Sequence, residues 1–277
     1  MRSASPLRYP GGKWRLSAFF ADFIGKNFHT SPLYIEPYAG GASLALSLLF
    51  AGQVSSIWLN DLDPAIYACW LSMIHESDRF CELLETIPIT VEERRRQKAI
   101  YALRSAGGTF SYGFSTFFLN RTNHSGILNG GMIGGKKQQG TWRLDARFNR
   151  SELVRRVRRI AEYKEQITLT CADAEALIRG FTARKNCLVY LDPPYVTAGK
   201  ALYMNAYGAA DHESVRDAVS RMERKWIVSY DDVPLVRKLY RGYRVRRIDL
   251  LHTAREAKLG SEVLFFSDDV MIPPRKN

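Results

Sequence analysis

The 277-residue sequence is informative first for what it does not contain. No apolar run approaches the ~20 residues that cross a bilayer, so no membrane role is expected. The opening MRSASPLRYPGGK has none of the apolar core of a secretory leader, and the expectation is a cytoplasmic protein. Cysteine is scarce. Cys69, Cys81, Cys171 and Cys187 form no CxxC pair and lie near no histidine cluster, which speaks against zinc ribbons and disulfide scaffolds. Each sits in an apolar stretch, so buried free thiols are expected and no metal is. Internal repeats and low-complexity tracts are also missing. Acidic residues are in deficit, 28 against 40 Lys and Arg, for a net charge of +12.

What is present is an ordinary globular composition, 46% hydrophobic and 25% charged, long enough for one good core and a smaller second module. The positive charge is unevenly placed. Residues 90–165 hold sixteen Lys and Arg against six Asp and Glu, which is +10 of the +12. Any one basic cluster could be a solvated helix face. A whole basic segment raises the local density of a polyanion and releases its counterions on binding, and points to nucleic acid.

The apolar pattern orders the elements. Leu33–Glu36 is a short strand, followed by a glycine turn and the apolar helix ASLALSLLFAG; Val54–Leu59 is a second strand ending at Asn60-Asp61, and Pro64 opens another helix. Strand, turn, helix, strand, acid begins a doubly wound sheet. The alternation then breaks. Thr90-x-x-Glu93 predicts a capping box for the helix VEERRRQKAIYALRS. An aromatic-rich stretch, FSYGFSTFFLNRT, is followed by a polar, glycine-rich loop from Asn123 to Arg147 with room for one hairpin. Ser151–Tyr163 is an amphipathic helix, with Leu153, Val154, Val157, Ile160 and Ala161 opposite Arg155, Arg156, Arg158 and Arg159. Strands resume at Ile167–Cys171, Cys187–Leu191, Trp226–Ser229, Tyr243–Ile248 and Val263–Phe266, with a helix around Val233–Tyr240. The expected fold is α/β: a seven-stranded mixed sheet with helices on both faces, its last two strands an antiparallel edge hairpin. Residues 1–65 and 166–277 are assigned to the sheet domain, and 66–165 to a mostly helical basic insertion.

Three motifs end strands, where open α/β sheets bind ligands. Glu36-Pro37-Tyr38-Ala39-Gly40-Gly41-Ala42 would let a ligand approach the backbone at a helix start, although glycine turns are common there. Asn60-Asp61 offers a carboxylate suited to ribose hydroxyls, or equally a helix cap before Pro64. Asp192-Pro193-Pro194-Tyr195 is the specific one. Two consecutive prolines cannot continue a ladder, and they force a rigid bend from which a tyrosine projects. An aromatic amine is a poor nucleophile, and acceptors such as the Asp192 carboxylate and the Pro193 carbonyl would hold its protons and align its lone pair. A base must leave the duplex to reach such a pocket, where the face of Tyr195 could stack on it.

In this order the motifs resemble the Dam-type family of DNA adenine-N6 methyltransferases, over nearly the whole chain: Arg8-Tyr9-Pro10-Gly11-Gly12-Lys13, EPYAGG, LND, FFLNRT and LDPPY. The resemblance implies a Rossmann-like class I methyltransferase fold and S-adenosylmethionine as cofactor, released as S-adenosylhomocysteine. It implies double-stranded DNA as substrate, with methyl transfer to a flipped-out adenine. Tyr9, Lys13, Glu36, Tyr38, Gly40, Asp61, Asp173 and Asp192 correspond to cofactor contacts, with Glu36 at the methionine end and Asp173 by the adenine moiety. Asp192, Pro193, Pro194 and Tyr195 correspond to the catalytic motif, and Ser229-Tyr230-Asp231 to the family's strand-end Ser-Asn near the target pocket. Within the insertion, Arg121, His124, Ser125, Asn129, Lys136, Lys137, Arg143 and Arg147 are the DNA-binding candidates; the Arg155–Arg159 cluster joins the basic residues among them as phosphate contacts. The segment Thr197–Ala210, with Tyr203 and Tyr207, is expected to close over the flipped base.

Two departures stand out. Ala42 replaces the last glycine of the family's turn, and His124-Ser125-Gly126-Ile127-Leu128-Asn129 occupies the place where enzymes that read GATC carry an arginine for guanine. The target is therefore expected not to be simply GATC. Cytosine-N4 methylation commonly has serine in place of the aspartate, and protein glutamine methylation Asn-Pro-Pro-Tyr. An RNA adenine methyltransferase and a catalytically silent DNA-binding protein stay open as alternatives. The remaining expectations are a monomer of prokaryotic or phage origin, associated with the nucleoid in use; a solitary enzyme, the partner of a cognate restriction enzyme and a phage-borne protector of DNA read alike in the sequence.

Overall fold

The computed structural model describes residues 3–9, 11–180, 186–197, 207–252 and 258–274. Contacts divide the chain into two compact units: Gly11–Leu62 with Thr170–Asn277, and Met1–Pro10 with Asp63–Leu169. Residues 3–9, expected with the sheet, cluster with the helical unit. The reason is local: Asn120 brackets the Arg8 peptide, accepting from its N–H at 2.8 Å and donating to its carbonyl at 2.7 Å.

One sheet of seven strands runs in the order β3-β2-β1-β4-β5-β7-β6. The strands are β1 (Leu33–Glu36), β2 (Ser56–Asn60), β3 (Ile167–Thr170), β4 (Cys187–Leu191), β5 (Lys225–Asp231), β6 (Arg244–His252) and β7 (Lys258–Phe266). β1 pairs in parallel with β2 and β4, and β4 with β5; β7 is antiparallel to both β5 and β6. This is the mixed sheet with an edge hairpin that the apolar runs predict, and the Rossmann-like fold that the resemblance implies.

The two central strands are buried at every position, because helices cover both faces. Side chains alternate across the sheet with period two. Tyr34 and Tyr190 stack on one face against Phe20 of helix α1 (Ser17–Asn27). Ile35, Val189 and Leu191 face a second cluster with Val215 and Val219. Helix α2 (Ser43–Phe50) follows β1 directly, and six of its eight residues are buried.

The helical unit contains α3 (Pro64–His75), α4 (Ser77–Thr86), α5 (Val91–Ala102), α6 (Thr109–Thr122) and α7 (Arg150–Ala161). Thr90 caps α5 by accepting from Glu93 N–H at 3.1 Å, which is half of the predicted capping box; the Glu93 carboxylate accepts from Arg96 and Gln97 instead. The aromatic stretch is helix α6, with eleven of fourteen residues buried and Phe114 and Phe117 against Phe80. Gly113 sets how closely α6 approaches α3, since a Cβ there would lie 2.3 Å from the Ala68 carbonyl oxygen. The loop between α6 and α7 holds one antiparallel bridge, Asn123 to Met132. Cys69, Cys81 and Cys187 are buried; Cys171, expected buried, is exposed, because β3 ends one residue before it. Among the described residues no helix is long and apolar enough to cross a membrane.

Candidate active site

Within the sheet unit the carboxyl ends of β1, β2, β4 and β5 bring most of the predicted cofactor residues together. After β1, Gly40 and Ala42 both take φ of 45°. Ala42 therefore keeps the left-handed turn that a glycine would make, at a cost of about 1–2 kcal/mol. The turn aims the Gly40 N–H at the Asp61 carboxylate, 2.8 Å away. The helix cap before Pro64 is Asp63, which accepts from Ala65 N–H at 2.8 Å. Asp61 is thus not the cap of that helix. Asn60 fastens the strand ends: its amide donates to the carbonyls of Pro37 and Ala172 at 3.0 and 2.9 Å, and its oxygen accepts from Thr170 and Ala172. Asp173, exposed, caps helix α8 (Ala174–Arg179) through Ala176 N–H at 2.9 Å.

Asp192 is held from two sides. Ser229 of β5 donates to Oδ1 at 2.5 Å, and the Lys13 ammonium lies 2.9 Å from Oδ2. Tyr190 Oη lies 2.8 Å from the Ser229 hydroxyl on the far side. Each carboxylate oxygen has a second lone pair, and the side chain remains 24% exposed. Lys13 is 4% exposed; its Nζ also donates to Tyr195 Oη at 2.6 Å and to the Gly11 carbonyl at 2.8 Å. Burial pulls the Lys13 ammonium down, but Asp192 and Glu262 more than offset it and its pKa is raised.

Tyr195 does not project from the strand end. It is 9% exposed, because Glu262 on β7 accepts its hydroxyl proton at 2.5 Å. Lys13 Nζ lies 5.0 Å from the ring centroid. Glu262 is itself fully buried, with Oε1 3.6 Å from Lys13 Nζ. Burial pushes its carboxyl up and Lys13 opposes this. Burial also pushes Glu36 up to about 8; a hydrogen bond from Tyr34 at 3.1 Å opposes it and Asp192 adds to it.

Asp231 accepts from the N–H groups of Val196 and Thr197 at 3.1 and 3.0 Å and from the Thr197 hydroxyl at 2.6 Å, fixing the chain as it leaves the Pro-Pro bend. Residues 198–206 of the segment expected to close over a base, with Tyr203, and Pro10 of the opening motif lie outside the described residues. Tyr207, which is described, donates to Tyr38 Oη at 3.4 Å.

In the helical unit, which also holds half-buried Tyr9, the DNA-binding candidates separate into two groups. His124, Asn129, Lys136, Lys137, Arg143 and Arg147 are exposed. Arg147 lies over the exposed Trp142 ring at 5.0 Å. Arg121 is different: its guanidinium donates to the Pro6 and Arg147 carbonyls. Burial, with Arg8, Arg156 and Arg147 nearby, brings its pKa down to about 9. Arg155 and Arg156 are engaged with Glu152 at 2.8 Å, so the arginine cluster on α7 is partly neutralised within the helix. Ser125 takes φ of 55°, and a Cβ on Gly126 would lie 2.2 Å from the Arg8 carbonyl oxygen.

Sequence reasoning missed four residues that build these sites: Glu262, Arg94, Asn120 and Asn123. Asn123 accepts twice from buried Arg94, at 3.0 and 2.7 Å, and donates to the Ile127 and Leu128 carbonyls. The signal was an Asn pair at i, i+3 after an aromatic run. A lone Glu inside SEVLFF gave a similar one.

A methyltransferase sheet whose fourth strand ends in an anchored Asp-Pro-Pro-Tyr defines the class, and the comparisons give the family. Residues 9–253 match the D12 class N6 adenine-specific DNA methyltransferases, and the chain belongs to that family. It is accordingly an adenine-specific DNA methyltransferase. The Type II methyltransferase M.MjaIII of Methanocaldococcus jannaschii is 20% identical over 264 residues, 87% of this chain and 89% of that protein. Among solved structures, the rRNA methyltransferase aviRa of Streptomyces viridochromogenes superposes with a TM-score of 0.44 at 15% identity, covering 93% of this chain and 85% of that one. Precorrin-6y C5,15-methyltransferase of Geobacter metallireducens gives a TM-score of 0.38 at 11% identity over 89% and 86%.

Proposed function

We propose that the chain uses S-adenosylmethionine to methylate the N6 amino group of an adenine flipped out of double-stranded DNA. The observation that carries this is Asp192, pinned by Lys13 and Ser229 at the end of β4 with part of its carboxylate open. The donor set also fits the cofactor. Glu36, Asp61, Asp173 and Asp192 are acceptors suited to its ribose hydroxyls and amino groups, and the Gly40 turn permits close approach. When bound, the cofactor supplies an electrophilic methyl group on a sulfonium.

The chain's own residues do the rest by positioning. Asp192 and the Pro193 carbonyl accept the two N6 protons, which turns the amine lone pair toward the methyl group. The fixed ammonium of Lys13 keeps Asp192 from rotating. The exposed cations Lys136, Lys137, Arg143 and Arg147 hold the phosphate backbone, and the His124–Asn129 turn meets base edges. That turn has no arginine for guanine, and the sequence read is therefore other than GATC alone. We place the enzyme in the cytoplasm as a monomer with a cognate restriction enzyme as partner, a reading that its likeness to a Type II methyltransferase supports.

The test is methylation in cells. The chain and Asp192→Ala are expressed in a host lacking adenine methylation, and N6-methyladenine is mapped by single-molecule sequencing. One motif modified by the parent and unmodified in the variant is expected. Unmodified DNA in both strains, with methylated adenine in RNA, would replace this reading with an RNA enzyme.

A further inference from the structure

We propose that Glu262 is a positioning residue for methyl transfer, reaching from the edge hairpin to hold Tyr195 and Lys13 and, through Lys13, Asp192. This rests on the adenine methyltransferase reading above. Glu262, Leu264 and Phe266 lie two residues apart on one face of β7, and all three are fully buried. An apolar side chain would be the cheaper occupant of that row, since a buried carboxylate costs several kcal/mol unless it is well paired.

The pairing is indirect. Lys13 has three ammonium protons, and three acceptors lie nearer than Glu262: Tyr195 Oη at 2.6 Å, the Gly11 carbonyl at 2.8 Å and Asp192 Oδ2 at 2.9 Å. Glu262 Oε1 is 3.6 Å from Nζ but 2.5 Å from Tyr195 Oη. The tyrosine hydroxyl therefore accepts from Lys13 and donates its own hydrogen bond to Glu262. Asp192, Lys13, Tyr195 and Glu262 form one chain with a carboxyl at each end and the ammonium between.

Lys13 and Asp192 already neutralise each other. A second carboxylate adds one negative charge behind Asp192, on the side of the amine, onto which the transfer moves the positive charge that the sulfonium held. Preorganised charge of that sign lowers the barrier. The groups facing Lys13 are Asp192, Tyr195, Glu262 and Glu36; those facing Glu262 are Lys13, Asp192, Tyr195 and Tyr190.

Glu262→Gln keeps the shape and the acceptor for Tyr195 while removing the charge. Its expected kcat is at least about tenfold lower, with the Kd for S-adenosylmethionine changed less than about threefold. The alkaline limb of its kcat–pH profile should move down by roughly one pH unit, because Lys13 has lost one of the two carboxylates that favour its charged form. NMR of 13C-lysine-labelled full chain reads the Lys13 titration directly and should show the same shift. Glu262→Leu, which completes the apolar row, should be at least as stable to heat and equally slow. Wild-type kcat in Glu262→Gln with an unmoved Lys13 titration would overturn the proposal. The lysine titration decides on Glu262 even if the wild-type chain methylates nothing, so the two readings fail separately.

Discussion

Glu36 ends β1 with its side chain inside the sheet unit, and Tyr34, two residues earlier on the same strand face, donates its hydroxyl to it. A carboxyl pushed up to about 8, first by burial, is protonated at neutral pH. The unfolded chain releases that proton near pH ~4.5. Below that pH both states hold the proton. Between it and about 8 only the folded state does, so stability falls as pH rises through that window. Glu36→Gln removes this dependence. Its unfolding free energy relative to the parent should rise by about 2–4 kcal/mol between pH 5 and 8. Urea denaturation at the two pH values measures it, and parallel curves for both proteins would remove Glu36 as the titrating group. Binding of a sulfonium beside this carboxyl should favour its ionised form, so cofactor affinity should climb toward pH 8 in the parent and stay level in the variant.

At the scale of elements, the C-terminal end of α6 carries the turn proposed to meet base edges. Asn120 and Asn123, one helical turn apart, use both of their amide ends: Asn120 on Arg8 and Gly126, Asn123 on Arg94, Ile127 and Leu128. Asn123→Ala leaves the Arg94 guanidinium and two carbonyls without this partner in a buried place. The expected cost is about 3 kcal/mol, with lost discrimination between DNA sequences and unchanged cofactor affinity. Calorimetry and competition binding with variant duplexes would show it, and unaltered sequence preference would assign recognition elsewhere. This element was the least legible in the sequence. Helix α6 is buried on every side, so its residues show none of the apolar–polar contrast by which a helix is recognised. Its terminal asparagines look like loop residues, and Arg94 sits in a run of charges that reads as a wholly solvated face. The sheet was legible because β4 is an unbroken apolar run, β1 is apolar up to its terminal Glu36, both are bounded by turn signals, and both match their predicted ends. Strands β6 and β7 extend beyond the apolar pattern because the hairpin goes on pairing through a mixed stretch, from Ile248–Glu262 to His252–Lys258. Glu262 lies in that poorly patterned stretch, some seventy residues from the Asp192 it serves. Sequence spacing carries no trace of that contact.

For the whole molecule, a net charge of +12 sets how strongly it meets a polyanion, but the structure shows that the cations are not equivalent. Arg94 and Arg121 tie the chain to itself, and Arg155 and Arg156 are paired with Glu152, whose carboxyl they hold down at about 2. The exposed Lys136, Lys137, Arg143 and Arg147 belong to the loop between α6 and α7. Each phosphate neutralised releases about 0.9 of a counterion, so the slope of log Kd against log salt counts the contacts. Replacing Lys136, Lys137, Arg143 or Arg147 by Ala should reduce that slope by about one each and weaken all duplexes alike. Arg121→Ala should instead leave the slope unchanged and lower Tm, because its guanidinium is bonded to the Pro6 and Arg147 carbonyls. Fluorescence anisotropy on a short duplex from 50 to 300 mM salt, beside thermal melts, separates the two groups. If the four loop variants keep the full slope while Arg121→Ala loses a unit, the backbone contacts run through the Arg8–Arg121–Arg156 cluster and the exposed loop is not the phosphate-binding surface.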